Sequence, residues 1–194
     1  MLVVEDGEIV KRYDEFINIG ERLPRKITKI TGITDETLEI KGINESEVAD
    51  DLKNWISPGT LMIAHNAQFD LSFIYQLLKR HFPQEADSIV SNADWLDTLT
   101  VLKDRKNYPH KLCDAVDYYH VEKVNFHRAI DDTIALYYVT QKLINERNDL
   151  EEYINFFGYN PKYGVKGRFP FITYKAQPYH NMGLLPENKI LPKK

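Results

Sequence analysis

Short apolar runs alternate with amphipathic stretches along most of the chain. Residues 2–4 and 8–17 predict two strands, and Asp6-Gly7 between them is a strong hairpin signal because both turn positions need positive φ. Residues 61–64 form a short, wholly apolar run between turn residues, which predicts a strand buried on both faces. Another apolar patch, at Trp95-Leu96, leads into a helical pattern.

Helical periodicity predicts the remaining elements. Asn44 followed by Glu47 is typical of a capping box, so a helix is expected over about 45–55. Residues 18–42 are expected to be irregular, with Pro24 as one of their breaks. Strands alternating with helices predict an α/β fold with helices packed on a mixed sheet. Further helices are predicted over about 68–80, through Leu99 and Leu102, and over 111–119 and 129–146, with Phe69, Phe73, Leu77 and Leu78 facing inward in the first of these.

Charge is distributed unevenly between the two ends of the chain. The net charge is −4, but residues 158–194 carry +6, which leaves −10 for residues 1–157. A carboxylate-rich body with a basic extension suits an enzyme that binds cations beside a polyanion, but from the charge alone a solubilising tail is the favoured interpretation. No apolar run approaches the roughly 20 residues of a membrane span, so a soluble, cytoplasmic protein is expected.

One candidate site follows the predicted buried strand. His65-Asn66 forms a turn into the next helix, whose first turn carries Asp70. A carboxylate there lies at the carboxyl edge of the sheet, where ligand sites of α/β folds gather. Taken alone, Asp70 is better explained by its favourable interaction with the helix dipole.

A second candidate site begins the longest predicted helix. His127 stands just before that helix, and Asp131-Asp132 follow in its first turns. A histidine could take a proton from water while the acids hold a cation. An acidic helix start with a capping histidine is the simpler alternative for this segment considered alone.

The two segments together resemble the second and third motifs of the DEDDh 3′–5′ exonucleases, a family that includes proofreading subunits of bacterial DNA polymerase III. Residues 65–70 match the family's His-Asn-Ala-x-Phe-Asp, and Asp132 lies five residues after His127, as the third motif requires. The resemblance covers residues 1 to about 146. It implies a ribonuclease H-like mixed sheet flanked by helices, over residues 1–157, with a C-terminal arm over 158–194.

The resemblance also implies a chemistry and a set of roles. Family members hydrolyse phosphodiester bonds at nucleic-acid 3′ ends with two divalent cations, here Mg²⁺ or Mn²⁺. Carried over, Asp70 and Asp132 are metal ligands and His127 is the general base. His65, Asn66 and Phe69 are expected beside a single-stranded 3′ end, with DNA favoured over RNA.

The family's first motif, Asp-x-Glu on a central strand ahead of the hairpin, has no counterpart in the expected position, because Glu5-Asp6 forms the hairpin tip. Three explanations remain: a truncated sequence, a nuclease-dead relative, or a partner chain that supplies the strand. We favour truncation, and we expect this chain as it stands to have little or no activity. The alternative function is a nuclease-dead module that binds nucleic acid or a polymerase.

The arm offers one more hypothesis. Its aromatic residues interleave with basic residues, so rings could stack on bases while charges meet phosphates. The favoured alternative is that residues 171–174 form a strand against a sheet edge and that the aromatic rings pack on the core.

Overall fold

The computed structural model describes residues 1–122 and 128–178 and confirms a mixed α/β fold. Hydrogen bonds join the strands of this described part in four two-stranded pairs. The strands are β1 (Leu2–Glu5), β2 (Glu8–Arg12), β3 (Phe16–Asn18), β4 (Gly42–Asn44), β5 (Leu61–Ala64), β6 (Asp94–Asp97), β7 (Phe156–Tyr159) and β8 (Thr173–Ala176). The helices are α1 (Arg25–Thr31), α2 (Asp35–Lys41), α3 (Glu45–Trp55), α4 (Ala67–His81), α5 (Ala86–Asn92), α6 (Thr98–Arg105), α7 (Leu112–Tyr118) and α8 (Ala129–Glu146), with a 3₁₀ turn at Leu150–Tyr153.

The hairpin forms where the sequence predicts it. β1 pairs antiparallel with β2, and the turn residues Asp6 and Gly7 both have positive φ, at 50° and 83°. The second strand ends at Arg12, earlier than expected. The hairpin tip is fastened to α8, because the Tyr137 hydroxyl donates to the Gly7 carbonyl at 2.5 Å.

The parallel pair β5–β6 separates two hydrophobic clusters. Met62 is in register with Trp95, and both contribute to the larger cluster with α3, α4 and α5. Ile63 is in register with Leu96 on the opposite face, where Leu96 packs in a second cluster with α6, α7 and α8. The pair therefore carries its carboxyl ends, where the site residues lie, over the larger cluster, and the second cluster covers the opposite face only at β6.

Two predictions about burial are wrong. β5 was expected to be buried on both faces, but Leu61 and Ile63 are 41% and 39% exposed. The second cluster covers Leu96 and does not extend over the same face of β5. Phe69 and Phe73 were expected to face inward and are also exposed, since α4 turns Leu71, Leu77 and Leu78 to the core instead.

The prediction of an irregular segment over 18–42 is also wrong, because it contains α1 and α2. Both helices lie at the surface, and Leu38 is the one buried residue that they supply, so hydrophobic periodicity could not reveal them. The signals that were present are local ones. Thr34 caps α2 by accepting a hydrogen bond from the Thr37 amide, and Gly32 ends α1 in the left-handed conformation.

The described part of the C-terminal segment packs against the body of the protein. β7 and β8 pair in parallel, and Phe157, Phe169 and Ile172 are buried in the larger cluster. Gly158 lies so close to Gln177 that a Cβ atom would stand 2.0 Å from the Gln177 side-chain oxygen. The expected strand therefore forms but begins two residues later, at Thr173, and the expected core packing holds for Phe169 but not for Tyr163, which is exposed.

None of the helices in residues 1–122 and 128–178 combines the length and apolar character needed to cross a bilayer.

Candidate active site

The turn from β5 into α4 adopts an unusual backbone conformation. Asn66 has φ 74° and ψ 53°, in the left-handed region. Asparagine is one of the few residues other than glycine that enters this region at modest cost. The next residue, Ala67, is fully buried, so the first turn of α4 lies tight against the core and directs Asp70 from a fixed position.

Asp97, the last residue of β6, holds this turn. One of its carboxylate oxygens accepts hydrogen bonds from the amides of Asn66 at 2.8 Å and Ala67 at 3.2 Å. The same oxygen accepts from the Leu99 amide at 3.1 Å, and the other accepts from the Thr100 hydroxyl at 2.7 Å. Asp97 is 3% exposed, so these bonds form out of water, where a lost partner is costly. One buried carboxylate thus caps α6 and shapes the start of α4.

His65 has a comparable structural setting. Its Nε2 lies 2.8 Å from the His110 carbonyl, to which it donates, and its Nδ1 lies 3.0 Å from the Thr98 hydroxyl. Burial lowers the pKa of His65, although the His110 carbonyl and the Asp97 carboxylate oppose that shift. A neutral imidazole with both nitrogens engaged joins β5 to α6 and to the segment before α7.

Asp70 differs from both in that its side chain is exposed. The protein atoms around its carboxyl group still displace enough water to raise its pKa, and the nearby Asp97 carboxylate raises it further. A position in the first turn of α4 favours the ionised form. A hydrogen bond from the backbone opposes the shift, but burial dominates and the pKa of Asp70 is raised, as is found more often at functional sites than elsewhere.

The second candidate segment, which resembles the third family motif, is described from Arg128 onward. Asp131 and Asp132 are both partly buried in the first turn of α8, and the amides of both donate to the Arg128 carbonyl. The Arg128 guanidinium pairs with Asp14 at 2.8 Å, just after β2. His127, the expected general base, lies outside the described residues.

Two functional neighbours escaped sequence reasoning. Asp97 is not among the predicted site residues, and its oxygens accept hydrogen bonds from three backbone amides and a hydroxyl. The one available signal was its position directly before a helical pattern, which is typical of a cap. Gln68 is the other. Its side chain contacts the carbonyls of Lys166 and Gly167, and these lie almost a hundred residues away in sequence.

Two carboxylates among the described residues are candidate cation ligands. Asp70 and Asp132 offer the hard oxygen donors that Mg²⁺ and Mn²⁺ prefer. Within residues 1–122 and 128–178, however, no group of three or more His, Cys, Asp or Glu side chains is arranged to hold an ion.

Comparisons with known proteins agree with the motifs. A family model described as exonuclease, that of the ribonuclease T family, matches residues 1–140. The chain is 31% identical over 183 residues to a PolC-type DNA polymerase III of Listeria welshimeri, and 30% identical over 148 residues to that of Staphylococcus aureus. These alignments cover 91% and 76% of the chain, which spans only 12% and 10% of the two polymerases.

Solved structures show the same fold at low identity. Escherichia coli exonuclease I in complex with a dA16 oligonucleotide superposes with a TM-score of 0.62 at 18% identity, covering 76% of this chain and 36% of that one. Exonuclease X in complex with 5′ overhanging duplex DNA gives 0.54 at 17% identity, covering 76% and 81%. The fold, the matched family and the residues around Asp70 lead to one conclusion: the chain belongs to the DEDDh-type exonucleases of the ribonuclease H-like superfamily.

Proposed function

We propose that the chain serves as a 3′–5′ exonuclease, hydrolysing phosphodiester bonds at nucleic-acid 3′ ends, with DNA as the favoured substrate and RNA as the open alternative. The observation that carries this proposal is the motif at residues 65–70 within the matched family, which places Asp70 just after a turn held by Asp97. The PolC-type relatives support a setting in DNA replication, in the cytoplasm and beside a polymerase.

The residue roles belong to the same proposal. Asp70 and Asp132 would hold Mg²⁺ or Mn²⁺, two ions in a complete site, and His127 would take a proton from the attacking water. Metal ions at such a site supply charge stabilisation and an activated water. Asn66 and Phe69 would border the strand end. The two engaged nitrogens of His65 support a positioning role for it rather than direct contact with substrate.

The two-metal site proposed for this family draws on four carboxylates, and the roles carried over name two. We therefore expect the chain to bind one ion weakly and to degrade strands slowly or not at all. A nuclease-dead module that binds nucleic acid or a polymerase is the second candidate. The absence of a metal-binding group among the described residues favours it. The division into an exonuclease domain over 1–157 and an arm over 158–194 remains a further proposal.

A 5′-labelled single-stranded oligonucleotide tests the proposal. The chain and its Asp70→Asn variant would be incubated with it in Mn²⁺ or in EDTA, and products resolved by length. Mn²⁺-dependent shortening from the 3′ end, lost in the variant, would establish the exonuclease and refute our expectation of low activity.

Metal binding separates the remaining outcomes. If no shortening occurs, a Mn²⁺ titration followed by electron paramagnetic resonance should still show a weak site that Asp70→Asn removes. Strand binding without any such site would favour the nuclease-dead module, and neither activity nor binding of metal or strand would sink both readings.

A further inference from the structure

A cleft of about 380 Å³ separates the start of α4 from the C-terminal segment. Asn66, Phe69 and Phe73 of the motif helix form one wall. The other wall is the loop after β7, including Tyr163 and Lys166. The loop and β8 lie beyond residues 1–140, the part matched by the exonuclease family model.

Large aromatic side chains line this cleft without being buried in it. Phe69 and Phe73 are 58% and 61% exposed, and their ring centroids are 4.7 Å apart. Tyr163, on the other wall, is 69% exposed. Neighbouring exposed rings of this size are unfavourable in water and mark sites where a ligand covers them.

The cleft is also bordered by cations. Lys103, only 5% exposed, and Lys166 both line it. Lys162 places its ammonium 5.5 Å from the centre of the Tyr163 ring. Nearby, the Arg168 guanidinium lies 5.4 and 5.2 Å from the rings of Tyr159 and Tyr174. Rings interleaved with Lys and Arg are what a single strand requires, since bases stack and phosphates attract the charges.

Hydrogen bonds connect the cleft to the proposed site. The Gln68 side-chain amide donates to the carbonyls of Lys166 and Gly167, each at 3.1 Å. The Tyr174 hydroxyl donates to the Gln68 side-chain oxygen at 2.7 Å and accepts from the Phe169 amide at 3.2 Å. Gln68 is two residues before Asp70. The segment is therefore latched to the same helical turn that presents the carboxylate.

We infer that this cleft binds the unpaired nucleotides of a single strand whose 3′ end reaches Asp70, with Phe73 and Tyr163 stacking on bases and Lys166 facing the phosphates. The inference rests on the proposed function, because Asp70 fixes where the strand ends. It adds a binding surface contributed in part by residues that the exonuclease family model does not match. An acidic, aromatic-containing peptide is the occupant that the test must distinguish.

Fluorescence anisotropy with a labelled oligothymidylate of about ten nucleotides would measure the affinity in EDTA, where no metal is present and no cleavage occurs. Stacking on one aromatic ring is worth about 1–3 kcal/mol, so Tyr163→Ala and Phe73→Ala should each weaken binding by about fivefold or more. Tyr163→Phe keeps the ring and should bind as the parent does. Tyr138→Ala, an exposed tyrosine on α8 that does not line the cleft, is the matched control.

Two further measurements sharpen the assignment. Lys166→Gln should reduce the slope of log affinity against log salt by about 1. An oligonucleotide with abasic sites near its 3′ end should bind the parent more weakly, and Tyr163→Ala should then cost little more. Equal affinity of the parent and both ring variants would overturn the inference, as would full competition by the peptide.

The outcome is separable from that of the proposed function. If Tyr163→Ala and Phe73→Ala weaken strand binding, the cleft assignment is supported even when no nuclease activity is found. Conversely, an active exonuclease that binds strands equally well with Tyr163→Ala and Phe73→Ala would retain its function and refute the cleft. Because the substituted rings are exposed, each variant is expected to unfold at the same temperature as the parent, which circular dichroism checks.

Discussion

The two faces of the β5–β6 pair have opposite surroundings. On one face, Met62 and Trp95 pack in the larger cluster. On the other, Leu96 is buried under α6, α7 and α8, while its neighbour Ile63 remains 39% exposed. The apolar sequence of β5 would suit burial of both of its faces. In the described part of the protein, only the face that carries Met62 is covered. The site turn takes its stability from the covered face and from β6.

The largest effect should come from the covered face. Trp95 is 1% exposed, and its indole nitrogen donates to the Val90 carbonyl at 2.9 Å. Trp95→Ala should lower the free energy of unfolding by about 3–5 kcal/mol, as expected for a large buried aromatic residue. Urea unfolding followed by circular dichroism would measure it.

Ile63→Ala on the open face is the matched comparison, and it should cost about 1 kcal/mol or less. Similar losses for the two variants would show that the faces are equally packed and would remove the contrast between them.

A smaller effect is expected where the two strands end. Asp97→Ala removes the acceptor of four hydrogen bonds and leaves three amides without their partner. We expect a loss of about 2–3 kcal/mol in urea unfolding, together with altered amide chemical shifts in the Asn66 turn.

Asp97→Asn keeps one carbonyl oxygen to accept from the amides and should lose about 1 kcal/mol. A turn spectrum unchanged by Asp97→Ala would mean that core packing of α4 alone shapes the site.

The smallest effect concerns Asp70, which is exposed. Its raised pKa means that ionisation destabilises the folded state, so the stability present below the unfolded pKa of about 3.9 is lost as pH rises through the folded pKa. Asp70→Asn should therefore raise the unfolding temperature near neutral pH, and the gain should vanish as pH falls towards about 4.

Asp87→Asn is the control in which the pKa shift has the opposite sign. Hydrogen bonds from Tyr75 and Lys79 lower the pKa of Asp87, so its removal should not stabilise the protein at neutral pH. If Asp70→Asn left the unfolding temperature at neutral pH unchanged or lowered it, the conclusion that ionised Asp70 destabilises the folded protein would be contradicted.

Sequence reasoning succeeded where a pattern reports on the core. The longest helix was predicted over the residues at which α8 begins and ends, because its apolar stripe packs along its whole length. It failed for α1 and α2, which bury almost nothing and depend on caps such as Thr34. It also failed for the orientation of Phe69 and Phe73, since periodicity cannot distinguish a ring that faces the core from one that faces a cleft.

The site divides in the same way. The motif residues sufficed to select Asp70 and Asp132. The hydrogen bonds of Asp97 and Gln68 beside them, however, join distant parts of the chain. Asp97 meets the Asn66 amide across 31 positions, and Gln68 meets Gly167 across 99. Such contacts follow from the completed fold and have no local signature.

The Asp97 carboxylate also affects the local opening fluctuations of the protein. Its hydrogen bonds link the first amides of α4 to the first amides of α6, so neither helix start can open to water without disturbing the other. Fluctuations of the two starts should therefore be concerted, as one small cooperative unit with a shared opening free energy. The backbone that carries Asp70 would then leave its position only in rare events that also expose the end of β6.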